Sequence, residues 1–182
     1  FQPVTAERFQ YPGKFAWPTR IFFLDRCFVI SRFALQNGKH LIIINTHNSA
    51  YDETGEVKKA EMEFLRDFVI SEYVNGNYVV VGGDFNQRPP KLEAQKFSEV
   101  PENTFIPPGI DRDFMPSEWY WVYDPFVPTN RHLDTPLQDD TYKTVIDYYL
   151  VSPNVEVTAI RTLDLQFQNS DHQPVIISIR LK

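Results

Sequence analysis

His40-Leu41-Ile42-Ile43-Ile44-Asn45-Thr46-His47 is apolar through its middle without alternation, and Tyr78-Val79-Val80-Val81-Gly82-Gly83-Asp84-Phe85-Asn86 repeats that pattern. A continuous apolar run of this length suits a strand covered on both faces, and each run here ends in polar residues. Between them, Ala60, Phe64, Leu65, Phe68 and Val69 recur at helical spacing over 57–74, and Asn75-Gly76-Asn77 supplies a helix stop. Strand, helix, strand in that order is the signature of a crossover unit with a parallel pair.

Outward from this unit, residues 20–36 are rich in β-branched and aromatic types and predict a strand, and Asn37-Gly38 marks a two-residue hairpin turn into 40–47. Downstream, 88–118 is crowded with proline, including Pro89-Pro90 and Pro107-Pro108, and leaves room for one short helix at 91–97. Strand patterns return at 119–123, 144–151, 155–163 and 174–181. No internal repeat or charge boundary divides the chain, so the 182 residues are expected to form a single domain or part of a larger one. The mixture predicts an α/β layered fold with helices outside sheets.

The single cysteine, Cys27, excludes an internal disulfide framework and is expected in the core. No apolar run reaches the roughly 20 residues of a membrane span. The net charge of −6, from 18 basic and 24 acidic residues, disfavours binding along long duplex DNA, where affinity comes from clustered Lys and Arg. The chain opens without Met and without a basic and then apolar leader, so a piece of a longer protein is expected; the compartment is not indicated.

Polar residues at the strand ends carry the chemistry. His47, in Asn45-Thr46-His47, stands where ligands approach an α/β sheet and could protonate a leaving group; the plainer alternative is a hydrogen bond to loop backbone. Asp84 and Asn86 follow two glycines that allow close backbone approach. They could hold a water, a hard cation or a phosphate oxygen, or simply close the strand as an Asx turn. Asp147 interrupts the apolar Val145-Ile146-Asp147-Tyr148-Tyr149-Leu150-Val151, so it either faces water or needs a partner such as histidine. In Asn169-Ser170-Asp171-His172-Gln173, neighbouring side chains diverge, so Asp147 rather than Asp171 is the candidate to orient His172. Trp119-Tyr120-Trp121 could stack on a base or a lipid, or be a strand with one face in the core. His40 and His132 read as surface residues.

Taken in order, Asn-Thr-His, Gly-Asp-Phe-Asn, Ile-Asp-Tyr and Ser-Asp-His resemble the endonuclease/exonuclease/phosphatase superfamily over roughly residues 40–182. The resemblance implies a four-layer α/β sandwich, two packed mixed sheets with outer helices, and metal-dependent hydrolysis of a phosphate ester. It implies His172 as general base oriented by Asp147, Asp84 holding the attacking water or the metal, and Asn86 steadying charge on the phosphate. It further implies His47 as acid or phosphate clamp, Asp171 beside the metal, and Asn45 and Arg131 as contacts to substrate, Arg131 through Pro128-Thr129-Asn130-Arg131. The cofactor expected for the intact protein is Mg2+ or Mn2+. The substrate class is a phosphate ester: a small molecule, a lipid headgroup or a short nucleic-acid end. Against the pattern, no metal-binding Asn and Glu precede Asn45, and Glu7, the only acidic residue in the first 24, lies in an unrelated context. The N-terminal part of the sandwich is therefore expected to be missing, with low activity for this chain alone and self-association through uncovered edges. The alternative is a non-catalytic module that keeps the fold and binds through the pocket.

Overall fold

The structure is a computed structural model that describes residues 2–182 apart from 23, 51, 53, 103, 134–136 and 139. The chain divides into two units, 1–83 and 84–182.

In the first unit, β1 (Thr5–Gln10), β2 (Cys27–Ala34), β3 (His40–His47) and β4 (Tyr78–Asp84) lie in that order in one sheet, and α1 (Glu56–Val74) connects β3 to β4. β1 to β3 pair antiparallel, with Arg8 opposite Val29 and Ile30 opposite Ile44. Leu35 N donates to Lys39 O at 2.9 Å, so the turn has three residues, Gln36-Asn37-Gly38, rather than the two expected, with Gly38 at φ 75°. Such a turn needs a left-handed last residue, which glycine supplies without strain.

Of the stripe expected on α1, Leu65 and Val69 are buried, joined by Val57 and Met62, while Ala60 and Phe68 are half-buried and Phe64 is exposed. An aromatic cluster packs with it: Phe28 stands 5.2 Å from Tyr11, 5.5 Å from Phe68 and 5.4 Å from Phe9, centroid to centroid. Each such side chain fully buried contributes about 1.5–3 kcal/mol. The two glutamates on the buried face are paired. Glu61 accepts both the amide (2.8 Å) and the hydroxyl (2.7 Å) of Ser49, and Glu72 accepts from Arg32 at 2.6 Å. At the C-terminus, the Asn75 amide bonds Ser71 O and the Gly76 amide bonds Tyr73 O, the stop expected from Asn75-Gly76-Asn77.

The second unit is built from β5 (Tyr120–Val122), β6 (Asn130–Arg131), β7 (Lys143–Thr144), β8 (Asp147–Val151), β9 (Val155–Thr162) and β10 (Val175–Leu181). The antiparallel pairs are β5 with β8, β6 with β7, and β9 with β10, the last with a bulge at Ser178/Ile179. Trp121, Phe85 and Tyr148 form its aromatic centre, Phe85 stacked on Tyr148 at 4.4 Å.

Several expectations are corrected. The strand predicted over 20–36 begins only at Cys27; Thr19–Phe22 is a 3-10 turn with Ile21 and Phe22 exposed. Composition alone suggested a strand where, among the described residues, no neighbouring strand pairs. The short helix at 91–97 is absent, because Lys91 takes a left-handed φ of 71° right after Pro89-Pro90. The run 144–151 breaks into β7 and β8, since the amides of Ile146 and Asp147 turn to the Thr129 hydroxyl. Cys27 is half-exposed rather than in the core, and His40 and His132 are half-buried. β1 was not anticipated: an edge strand with only Phe9 half-buried leaves no apolar pattern.

Candidate active site

Thr129 organises the site. Its hydroxyl accepts the amides of Ile146 at 3.1 Å and Asp147 at 3.0 Å, and its carbonyl accepts the Gln173 amide at 2.7 Å. One buried residue thus holds the start of β8 against the loop that leads into β10. The Gln173 side chain adds to this, donating to Pro128 O at 3.0 Å and accepting the Leu165 amide at 2.6 Å. A third strand end is joined by the Phe85 amide, which donates to Ile146 O at 2.9 Å. Asp84, Asn86, Asp147 and His172 are brought together by these bonds.

His172 Nδ1 lies 2.8 Å from Asp147 Oδ2, while Nε2 lies 3.1 Å from Asn130 Nδ2 and 3.7 Å from Asp171 Oδ2. The Ser170 hydroxyl accepts the His172 amide at 3.1 Å and closes the turn before it. Ligand atoms of Asp84, Asp147 and His172 all lie within 4.8 Å of one another. Burial pulls the His172 pKa down, but the hydrogen bond and charge of Asp147, with Asp84 and Asp171 behind it, outweigh burial and push it up to about 9. Burial, with the charges of Asp84 and Asp147, pushes the Tyr148 phenol well above its ordinary value.

Asp84 and Asn86 form the Asx turn weighed above: the Asn86 amide donates to Asp84 Oδ1 at 2.8 Å and its Nδ2 to Oδ2 at 3.1 Å, with Asn86 at φ 50°. The turn and a chemical role are compatible, because it fixes the carboxylate inside the cluster. The charge cluster comprises Asp84, Asp147 and His172; Asp171 reaches it only through His172 Nε2. Arg131 directs Nη1 to His132 O at 3.1 Å, and its amide bonds Asp171 O at 2.9 Å. Asn45 and His47 belong to the first unit, two apart on the exposed side of β3, and the intervening Thr46 is buried against the Tyr11 hydroxyl at 2.7 Å. Thr129 and Asn130 were not singled out by sequence reasoning. Their signal was present in Pro128-Thr129-Asn130-Arg131, where the arginine drew attention instead of its two small neighbours.

A cation fits this donor set. Asp84, Asp147 and His172 bring one ligand atom each within 4.8 Å of one another, and carboxylate oxygens are what hard divalent ions select.

No family model and no curated protein sequence matches the chain. Solved structures do. An endonuclease/exonuclease/phosphatase from Beutenbergia cavernae superposes with a TM-score of 0.64 at 18% identity, covering 97% of this chain and 44% of that one. One from Bacteroides vulgatus gives 0.65 at 17% identity, covering 100% and 66%. The chain has the endonuclease/exonuclease/phosphatase fold. The catalytic domain of human Nocturnin, with a bound sulfate anion, shares this α/β sandwich at a TM-score of 0.60 and 15% identity, covering 100% of this chain and 60% of that one. The chain thus spans 44 to 66% of these three structures.

Proposed function

We propose that the chain carries the His–Asp half of a metal-dependent phosphoesterase site, hydrolysing a phosphodiester or phosphomonoester. The observation that carries this reading is the 2.8 Å contact of His172 Nδ1 with Asp147, inside a cluster that includes Asp84. The occurrence of this fold in the endonuclease/exonuclease/phosphatase proteins described above supports it.

In this reading Asp147 accepts the Nδ1 proton, fixes the tautomer and leaves Nε2 to take a proton from the attacking water. Asp84, with Asp171 nearby, would hold Mg2+ or Mn2+, which when bound neutralises phosphate charge and makes water a better nucleophile. In the free chain the carboxylates keep His172 charged at neutral pH. Asp147 contributes most to this, with Asp84 and Asp171 behind it, so the base role belongs to a state in which a cation held beside the imidazole would offset the carboxylate charge. Asn86 would donate its amide to a phosphate oxygen, His47 would act as acid or clamp, and Asn45 and Arg131 would contact the substrate. The acidic balance of the chain favours a small ester, a lipid headgroup or a short nucleic-acid end.

In the full-length protein, His172→Ala is expected to cut hydrolysis of bis-p-nitrophenyl phosphate by roughly 100-fold or more, the scale of a lost general base. Unchanged turnover would favour a binding module or another base. This chain alone is expected to bind the cation weakly and to turn over little substrate with Mg2+ or Mn2+; robust turnover would contradict that.

A further inference from the structure

The aromatic run Trp119-Tyr120-Trp121 is left over by the catalytic reading, and it lines a cleft of about 370 Å3 in the second unit. Small-molecule sites of about 300–1,000 Å3 are the usual range. Its walls are Trp119, Trp121 and Tyr123 with Met115, and its cations are Lys91 and Arg112. Neither cation has an ion-pair partner among the described residues. Asp111, Asp113 and Glu118 neighbour it in sequence, yet none of them lines the cleft.

The cleft is built rather than incidental. Arg88 ties together the two loops that bear the cations: its Nε donates to Pro107 O at 3.0 Å, its Nη1 to Leu92 O at 2.5 Å, and its backbone bonds Pro108 and Ile110 at 2.8 and 3.0 Å. Lys91 is held at a φ of 71°, a conformation that tethered ends must maintain. Trp121 is fixed from behind by edge contacts to Phe85 at 5.9 Å and Tyr148 at 5.8 Å.

We propose that this cleft binds a nucleotide, its base among the rings of Trp119, Trp121 and Tyr123 and its phosphate on Lys91 and Arg112. Rings offer stacking to any base, and a guanidinium fork matches phosphate geometry. A lipid chain needs a deep apolar channel, which a cleft bearing Lys91 and Arg112 does not provide. Asn86 and Lys91 are five positions apart, at most about 18 Å along an extended chain, so a strand a few nucleotides long reaches from the cleft to the carboxylate–imidazole cluster. The proposal concerns binding and stands apart from hydrolysis.

Tryptophan fluorescence in EDTA tests it, with adenosine 5′-monophosphate as probe and adenosine, ribose 5-phosphate and O-phosphotyrosine as comparisons. The monophosphate should bind more tightly than all three. Arg112→Glu and Lys91→Glu, both exposed positions whose folding is checked by circular dichroism, should each weaken it by about tenfold, while His172→Ala leaves it unchanged. Ribose 5-phosphate or O-phosphotyrosine binding as well as the nucleotide would overturn the proposal. So would affinity lost in His172→Ala and kept in the two cleft variants.

Discussion

The Thr129 hydroxyl accepts the backbone amide of Asp147 at 3.0 Å, so the carboxylate paired with His172 is positioned through its own backbone by a residue of the neighbouring loop. Thr129→Val keeps the shape and removes the acceptor for two amides, those of Ile146 and Asp147. A buried amide left unsatisfied costs about 1–3 kcal/mol. Urea unfolding should show a loss of about 2–4 kcal/mol, and Thr129→Ser should recover most of it. A loss below about 1 kcal/mol for the valine variant would mean that these amides find other partners.

Gly83 makes the second prediction. It sits at φ 144°, and a Cβ there would come within 2.0 Å of Thr46 O. Gly83→Ala should therefore destabilise by at least about 2 kcal/mol, through strain and forced separation of the backbones. A variant as stable as the parent in thermal unfolding would show that β3 can move aside.

Acid stability should depend on Glu72. Burial pulls its pKa up, but hydrogen bonds from Arg32 at 2.6 Å and Asn77 at 2.7 Å prevail and hold it below the usual 4.5. A depressed folded pKa means that this contribution is present above about 4.5 and lost as pH falls through the folded value. Glu61 works the other way: burial raises its pKa, so its contribution is present at acid pH and lost as pH rises through the folded value. Glu72→Gln should flatten the acid limb of a stability–pH curve; an unaltered limb would assign acid unfolding to other carboxylates.

His172 supplies a direct electrostatic check. In EDTA, its ring signals followed by NMR should titrate near 9, and Asp147→Asn should bring the midpoint down towards 6.5. With the folded pKa above the unfolded one, its contribution to stability is complete below 6.5 and disappears as pH rises through about 9. A midpoint that ignores Asp147→Asn would contradict the pairing.

Long, strongly patterned pieces were legible in the chain. The runs 40–47 and 78–81 with the helix between them appear close to the expected bounds, since apolar burial and helical periodicity are local signals. The pairing of Asp147 with His172 was also legible, because a carboxylate in an apolar strand demands a partner. What escaped was decided by tertiary hydrogen bonds. Thr129 and Asn130 look like ordinary loop residues until the segments 144–147 and 171–173 close on them. β1 escaped because it pairs through backbone along an exposed edge. The helix expected at 91–97 failed because one left-handed residue outweighs propensity.

The central claim is that Asp84, Asp147 and His172 form one cation-assisted site. Crystals soaked in millimolar Mn2+ and measured at the manganese edge test it most directly. The account predicts an anomalous peak about 2.0–2.2 Å from an Asp84 carboxylate oxygen, with His172 Nδ1 still against Asp147. Manganese bound only elsewhere, or a His172 ring turned away from Asp147, would contradict it.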